Sequence, residues 1–198
     1  GFCLTRRGDV LVCCDGSLRL SCRVGAWKYW NHNHLVHILH SAARGQRVQV
    51  KSVGHVARQL YRAAMDVSFR RTGGLFLLLG KVANLCTLVR QADQIGGQGR
   101  TDTNRQFDRA LGQATIQRIS RSVISELAAL DGAIVMNNKG EILAYGAILK
   151  PPGKVQVGEL EGSRTRAAKA SSKLGLAVKV SSDGDIAVYW RGTRLVQK

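Results

Sequence analysis

The sequence predicts an α/β fold with a mixed central β-sheet flanked by helices. Short continuous apolar runs such as "LFLLLG" are typical of strands that are buried on both faces. They alternate along the chain with longer segments whose apolar residues recur every three or four positions, as in amphipathic helices. Elements that alternate in this way pack as layers on a shared sheet.

The first part of the chain is predicted to form a hairpin followed by a short helix. The strands are "DVLVC" and "LRLSCRV", and the connecting Asp15 and Gly16 form a favoured hairpin turn. "HLVHILHSAARG" then predicts a helix that ends at Gly45. Because this part is too small for an independent domain, residues 1–50 are expected to be the end of an upstream sensor or regulatory domain. The chain opens without Met, which favours a piece of a longer protein.

The main domain, residues 51–198, is predicted to begin with a helix, a strand and a second helix. "VARQLYRAAMDVSFRR" has a helical stripe that ends at Gly73 and Gly74, and "LFLLLG" follows as a buried strand. Residues 91–103 are expected to be a polar loop. One long helix is predicted through residues 104–130, with a buried stripe formed by Phe107, Leu111, Ala114, Ile119, Val123 and Leu127.

The last third is predicted to contain two strand pairs with a helix between them. "GAIVMNNKGEILAYGAIL" forms the first pair around an Asn-Asn-Lys-Gly turn, and "LAVKVSSDGDIAVYW" forms the second around Asp183 and Gly184. "RGTRLVQ" adds a further strand. The helix between the pairs is expected to begin near Ser163 and to end at Gly175.

The charge of the chain indicates an anionic partner. Thirty Lys and Arg residues face thirteen Asp and Glu residues, so the net charge is +17. Nucleic acid, nucleotides or an acidic protein surface would each be attracted by this charge, and a merely solubilising basic surface is the equally weighted alternative. A nucleic-acid binder is the weaker hypothesis, because no aromatic stacking platform or known binding module is visible. Such binding would be unspecific.

The cysteines and the apolar runs indicate where in the cell the protein is located. The odd count of five cysteines, without CxxC spacing, predicts free thiols in a reducing compartment and hence a cytoplasmic location. The longest apolar run is too short to span a bilayer. The histidines of "NHNHLVHILH" could share a helix face and bind zinc, but their spacing matches no zinc module, so an amphipathic helix is favoured.

Three polar motifs are candidates for chemistry, and the first is "LDGAIV". Asp131 stands beside Gly132 at the entrance of a buried strand, where a carboxylate and a closely approachable backbone suit a divalent metal or a ribose. A plain Asp-Gly turn is the favoured alternative when this motif is taken alone.

The second motif, "GSRTRAA", begins a helix. Ser163 can cap that helix, Gly162 lets a ligand approach, and the N–H groups of the first turn suit phosphate. Arg164 and Arg166 supply charged donors, and Thr165 adds a hydroxyl. The alternative is an exposed basic helix start in a basic protein.

The third motif, "VSSDGD", closes the second strand pair. Ser181 and Ser182 could bond to a phosphate or a sugar, and Asp183 or Asp185 could reach a metal. A polar β-turn is the favoured alternative for this motif when it is taken alone.

The three motifs in this order resemble the diadenylate cyclase domain of the DisA-N type, over roughly residues 55–198. That family's pattern is Asp-Gly-Ala, then Gly-Thr-Arg-His-Arg-Ala-Ala, then Val-Ser-Glu-Glu at a strand end. The resemblance implies an α/β fold and the condensation of two ATP molecules into cyclic di-AMP, with release of pyrophosphate and with Mg²⁺ or Mn²⁺. It also implies at least a homodimer, because two ATP sites must meet face to face.

The resemblance also implies roles for individual residues. Asp131 would bind the metal and help to activate the attacking hydroxyl, with Arg164 and Arg166 as the other catalytic residues. The other matching positions would bind the nucleotide: Gly132 and Ala133 at the ribose and base, Leu149 against the adenine, and Gly162, Ser163, Arg164, Thr165, Arg166 and Ser181 at the phosphates. Asp183 would be a second metal ligand.

The motifs depart from the family pattern at two places. Thr165 stands where the family has His, which turns the RHR motif into RTR, and Ser182 and Asp183 replace two acidic residues. The alternative hypothesis is therefore a degenerate member of the family that binds a nucleotide without converting it.

Overall fold

The protein contains two β-sheets joined by a helical layer. The structure is a computed structural model that describes residues 1–15, 17–45, 50–80, 83–111, 114–150 and 162–197. Its mixed sheet and flanking helices confirm the fold class that the sequence predicts. In these described ranges, no helix is long and apolar enough to cross a bilayer.

The first sheet is antiparallel and has the order β1-β2-β3-β4. Its strands are β1 (Phe2–Leu4), β2 (Val10–Cys14), β3 (Ser17–Arg23) and β4 (Ala26–Tyr29). Strands β2 and β3 form the predicted hairpin, and helix α1 (His32–Gly45) ends at the predicted residue. We call these four strands the N-terminal sheet.

The second sheet has six strands in the order β10-β9-β8-β5-β6-β7. Strands β5 and β6 run parallel and every other neighbouring pair is antiparallel, so the sheet is mixed. Both predicted strand pairs and the additional last strand are confirmed. The bounds are β5 (Gly74–Leu79), β6 (Ala133–Met136), β7 (Ile142–Ala147), β8 (Gly175–Val180), β9 (Ile186–Trp190) and β10 (Thr193–Gln197).

Helices cover both faces of this sheet. Phe76 and Leu78 of β5 point into the core cluster shared with α1, α2 (Val50–Arg70) and α5 (Arg121–Ala129). Leu75 and Leu77 belong to the cluster on the other face, with α3 (Leu85–Leu88) and α6 (Ser163–Ser171). Because side chains alternate along a strand, β5 must be apolar at every position. The predicted stripe of α2 is buried, as are all six residues of β5.

The long helix predicted over residues 104–130 is wrong, because two helices occupy this region. Helix α4 (Asp102–Leu111) ends before a bend, and α5 begins after Ser120, whose hydroxyl accepts a hydrogen bond from the Val123 N–H. Between them, the Ile116 N–H donates to the carbonyl of Gly140 at 2.8 Å. This pairing with the β6–β7 turn replaces helical hydrogen bonds. The predicted stripe is also incomplete, since Phe107 is 38% exposed.

Helix α6 ends earlier than the sequence predicts, at Ser171 instead of Gly175. Gly175 already pairs with Leu79 as the first residue of β8. A Cβ atom at Gly175 would lie 2.2 Å from the carbonyl oxygen of Leu78. The glycine therefore allows the close approach of β8 to β5, and it does not serve as a helix cap.

Candidate nucleotide site

The three sequence motifs meet at one edge of the six-stranded sheet. Strands β5 and β6 run parallel, so their first residues, Gly74 and Ala133, lie at the same edge. The antiparallel register brings the last residues of two neighbours there as well, because Val180 pairs with Gly74 and Ala147 pairs with Ala133. Asp131 immediately precedes β6, Ser181 immediately follows β8, and the first turn of α6 packs against this edge.

A cavity of about 210 Å³ opens at this edge. Five predicted site residues line it, namely Asp131, Gly132, Leu149, Ser163 and Arg164, together with Leu75, Ala147, Ile148 and Ala167. One wall is therefore apolar and the other carries a carboxylate, a hydroxyl and a guanidinium. Complete ligand pockets span roughly 300–1,000 Å³, so this cavity accommodates only part of a molecule of nucleotide size.

Asp131 is the exposed acidic group of the cavity. Its side chain is 93% exposed, and its Oδ1 lies 4.0 Å from Nη2 of Arg164. The next residue, Gly132, has a φ of +118°, and a Cβ there would lie 2.4 Å from the carbonyl carbon of Gly146. The glycine is therefore required by the close contact with β7, which holds the carboxylate at the cavity mouth.

The start of α6 differs from the expected capping arrangement. Gly162 is the N-cap residue and Ser163 already belongs to the helix, so the prediction that Ser163 caps the helix is wrong. Gly162 has extended backbone angles and no side chain with which to bond the first turn. Ser163 instead lines the cavity. A helix N-terminus without a side-chain cap suits an anion, because its N–H groups and the helix dipole attract negative charge.

The two arginines of the motif lie in different surroundings. Arg164 lines the cavity and packs on Gly73, where a Cβ atom would lie 2.3 Å from its Nη1. Gly73 has a φ of +72°, so the backbone that receives the guanidinium favours glycine. Arg166, two residues further along the helix, is exposed and does not line this cavity. A step of two residues is about 200° around a helix, which accounts for the difference.

Thr165 bonds to a residue that the sequence analysis missed. Its Oγ1 accepts a hydrogen bond of 2.8 Å from Nζ of Lys179. Lys179 pairs with Leu75 across β8 and β5, so both side chains lie on the face of the sheet that carries the cavity. A single lysine within the buried run "GLAVKV" is the signal that could have revealed this second cation.

The β8–β9 turn, residues 181–185, carries the third motif but does not line the cavity. The hydroxyl of Ser181 accepts a hydrogen bond of 3.0 Å from the Asp185 N–H, and Asp183 is exposed. Ala133 is buried in the core. The predicted site residues outside the cavity lining are thus Ala133, Gly162, Thr165, Arg166, Ser181 and Asp183.

The donor set bears on the implied metal. Among the described residues, no group of three or more His, Cys, Asp or Glu side chains is placed to hold a metal ion. Mg²⁺ usually keeps several waters and binds one or two carboxylates together with substrate phosphates. The single exposed carboxylate of Asp131, beside an uncapped helix N-terminus, fits a site of this shared kind.

The side chains proposed for other chemistry have ordinary structural settings. Leu35 and Leu39 of α1 are buried, which agrees with the amphipathic helix favoured for the histidine run. The cysteines are free thiols, as predicted. They are Cys3, Cys13, Cys14, Cys22 and Cys86.

Comparison with known proteins identifies the family. The family model described as "DisA bacterial checkpoint controller nucleotide-binding" (DAC) matches residues 61–194, which is more than half of the chain. The chain belongs to this DAC family. No match was found among curated proteins. The matched range contains all three motifs and excludes the N-terminal sheet and α1, so the domain boundary predicted at residue 50 stays a prediction.

Solved structures resemble the fold of this DAC family member. The crystal structure of a double mutant of DacA from Staphylococcus aureus shares 22% sequence identity, with a TM-score of 0.51, and the match covers 74% of this chain and 89% of that chain. A hypothetical membrane spanning protein from Bacillus cereus shares 16% identity, with a TM-score of 0.48, over 82% of this chain and 89% of the other. The DacA match supports the mixed α/β fold.

Proposed function

We propose that this protein is a diadenylate cyclase that condenses two ATP molecules into cyclic di-AMP and releases two pyrophosphates. The observation that carries the proposal is the convergence of Asp131, Ser163 and Arg164 on one cavity, in a chain that belongs to the DAC family. The net charge of +17 supports a polyanionic substrate of this kind.

The first turn of α6 would bind the phosphates. Its uncapped N–H groups can donate hydrogen bonds to an anion, and Arg164 adds a charged donor at the cavity wall. The ammonium of Lys179, bonded to Thr165, adds a second positive charge on the same face. Leu75 and Leu149 form an apolar surface that suits the adenine ring.

Asp131 is the residue proposed to hold Mg²⁺ or Mn²⁺ at the cavity; Asp183, the second ligand that the resemblance implies, lies outside the cavity lining. Either ion would neutralise part of the phosphate charge when bound. Asp131 is exposed at the cavity mouth, and its carboxylate can also accept the proton of the attacking 3′-hydroxyl. A bond forms between that oxygen and the α-phosphorus of the other ATP, while the bond from the α-phosphorus to the leaving pyrophosphate breaks.

The reaction needs two nucleotides that face each other, so we propose a homodimer as the active form. The cavity is small and open, and each subunit would contribute one ATP and one set of phosphate-binding residues. Proximity and charge neutralisation would then supply most of the rate enhancement. The free thiols are consistent with the proposed cytoplasmic location.

A nucleotide-binding sensor without turnover is the second candidate. Two hydroxyls that the resemblance assigns to the phosphates are engaged within the chain: Thr165 bonds to Lys179, and Ser181 bonds to Asp185. In both bonds the hydroxyl is the acceptor, so its O–H can still donate to a phosphate. Binding is therefore retained, whereas Thr165 offers no imidazole and Ser182 no carboxylate for turnover.

Titration of single arginine variants with a non-hydrolysable ATP analogue tests the binding function. Arg164→Ala removes a charge-assisted hydrogen bond of about 1.5–3 kcal/mol, so the dissociation constant should rise about 10- to 150-fold. Arg166→Ala should have a smaller effect, because Arg166 lies outside the cavity lining. Arg118→Ala is the matched control, since Arg118 is exposed near the β6–β7 turn at the opposite end of β6. Equal losses in all three variants would contradict a specific phosphate site.

A further inference from the structure

The β8–β9 turn, residues 181–185, has a well-defined backbone. The Ser181 N–H donates to the carbonyl of Asp185 at 2.8 Å, and the Gly184 N–H donates to the carbonyl of Ser181 at 3.0 Å. The hydroxyl of Ser181 accepts a hydrogen bond from the Asp185 N–H. The position of Ser181, which the family resemblance assigns to the phosphates, therefore depends on the position of Asp185.

The N-terminal sheet contacts this turn directly. Nη1 of Arg23, at the end of β3, donates to the carbonyl of Asp183 at 3.4 Å. Lys28 of β4 forms an ion pair with Asp185. Both cations lie outside residues 61–194, whereas the turn lies inside this range. The contact therefore joins the part of the chain that the family model matches to a part that it does not match.

Arg23 is held in place by buried charges. Its side chain is 7% exposed, its Nε lies 3.8 Å from Oδ2 of Asp9, and its guanidinium stacks 5.2 Å from the ring centre of Phe69. Asp9 is also buried and forms a second ion pair with Arg71. Burial lowers the pKa of Arg23, and the nearby Asp9 acts in the opposite direction. A buried charge is costly without its partner, so moving Arg23 away from Asp9 is unfavourable.

Gly184 of the β8–β9 turn lies directly against the guanidinium of Arg23. Gly184 has a φ of +88°, and a Cβ atom there would lie 2.0 Å from Nη1 of Arg23. The carbonyl oxygen of Ser68 in α2 is 2.7 Å from the same point, so the turn is enclosed by Arg23 on one side and α2 on the other. A displacement of Arg23 therefore changes the space that the turn occupies.

We propose that Arg23 is a positioning residue, through which the N-terminal sheet sets the conformation of the β8–β9 turn and thereby the affinity for the nucleotide phosphates. The inference rests on the proposed function, and within it on the assignment of Ser181 to those phosphates that the family resemblance implies. Arg23 itself touches no substrate. Whatever displaces the N-terminal sheet would change nucleotide binding through the chain of contacts from Arg23 to Asp183 and from Lys28 to Asp185 to Ser181.

Amide hydrogen exchange and nucleotide titration on the same variants test this inference. Arg23→Met removes the guanidinium and keeps an apolar side chain of similar length. Arg19→Met is the matched control, because Arg19 is an exposed residue of the same strand. Arg23→Lys keeps the charge beside Asp9 and should recover part of the wild-type behaviour. The amides of Gly140 and Glu141, in the β6–β7 turn, serve as an internal reference.

In Arg23→Met, exchange of the Gly184 and Asp185 amides should accelerate about tenfold, as expected for loss of the charge-assisted contact between Arg23 and the turn. Affinity for the ATP analogue should fall by up to the same factor of about ten, because the turn must then be ordered on binding. Arg19→Met should leave both unchanged. Unchanged exchange at the β8–β9 turn would overturn the inference, and so would faster exchange with unchanged affinity. Absence of nucleotide binding in the wild-type protein would instead overturn the proposed function, and the inference with it.

Discussion

The two sheets of this protein differ in the side chains through which they contact the rest of the chain. In the six-stranded sheet, β5 is buried at all six positions, with apolar side chains on both faces. The N-terminal sheet contacts the body through Leu18, which packs on the core, and also through buried or half-buried charges at Asp9, just before β2, and at Arg23 and Lys28. The strand register places apolar residues on its other face, in one cross-strand row of Phe2, Val12, Leu20 and Tyr29 and a second of Leu4, Val10, Cys22 and Trp27.

This difference indicates that the two sheets have different roles. Apolar burial supplies most of the free energy of folding, whereas an intact buried ion pair adds little net stability, because the cost of desolvating its charges offsets their attraction. The six-stranded sheet therefore provides the stability of the domain and one stable edge for the site. The contacts of the N-terminal sheet with the β8–β9 turn, in contrast, are made by the charged side chains Arg23 and Lys28, which suits a role in positioning that turn.

Truncation of the central strand should have the largest effect. Phe76 is fully buried in β5, so Phe76→Ala should lower the free energy of unfolding by about 3–5 kcal/mol. Urea denaturation followed by circular dichroism measures this loss. Trp27→Ala, at a residue that is 58% exposed in the N-terminal sheet, is the control and should have little effect. Similar losses in the two variants would contradict the assignment of stability to the six-stranded sheet.

Removal of the charge of Asp9, which pairs with Arg23 and Arg71, should have the next largest effect. Asp9→Asn leaves Arg23 and Arg71 without their carboxylate, and breaking a buried ion pair costs about 3 kcal/mol or somewhat more. We expect the loss to appear mainly as local opening, seen as faster amide exchange in β2 and β3 while β5 stays protected. Equal loss of protection in β5 would show that the two sheets unfold together.

The body of the domain contains a buried polar network, in which Tyr145 donates a hydrogen bond of 2.9 Å to Asp108. Tyr145→Phe should therefore cost about 1.5–3 kcal/mol. Burial raises the pKa of Tyr145, and the hydrogen bond to Asp108 adds to this effect. The stabilisation that the protonated Tyr145 hydroxyl contributes to the folded state is thus complete below the unfolded-state pKa of about 10. It is lost as the pH rises through the folded-state pKa.

Denaturation of the wild-type protein and Tyr145→Phe across an alkaline pH series measures this effect. The difference in unfolding free energy should be constant below about pH 10 and should narrow above it. A difference that is independent of pH throughout would contradict the buried hydrogen bond.

The smallest effect is expected for an exposed ion pair. Arg121 bonds to Asp66, and this contact raises the pKa of Arg121, but the Arg121 side chain is 60% exposed. Because solvent screens the charges, such a pair contributes only about 0.2–1 kcal/mol to stability. Asp66→Asn should therefore change the free energy of unfolding by no more than this amount. A loss as large as that of Asp9→Asn would show that burial does not distinguish the two contacts.

The fold was predictable where local chemistry decides it. Turn residues around Asn137 and Asp183 identify the two strand pairs, and the continuous run of β5 identifies a buried strand. The break between α4 and α5 has only two local signals, Gly112 directly after Leu111 and the capping Ser120, and apolar spacing continues through it. The pairing of Ile116 with the distant Gly140 has no local signal. Periodicity along a chain contains no information about such long-range pairing.

The site was predictable only in part for the same reason. The motif order identified Asp131, Ser163, Arg164 and Leu149, which line one cavity. The roles of Lys179 and Arg23 depend on pairing across β5 and β8 and across the two sheets, and no motif reports that pairing. The hydrogen bond between Lys179 and Thr165 depends on the same long-range pairing.

Mass spectrometry of the product formed from ATP tests the central claim most directly. The full chain, at high concentration with Mn²⁺, should convert ATP into cyclic di-AMP and pyrophosphate, and Asp131→Asn should abolish the conversion while the protein stays folded. Binding of the ATP analogue without any cyclic dinucleotide would contradict the cyclase and favour the sensor.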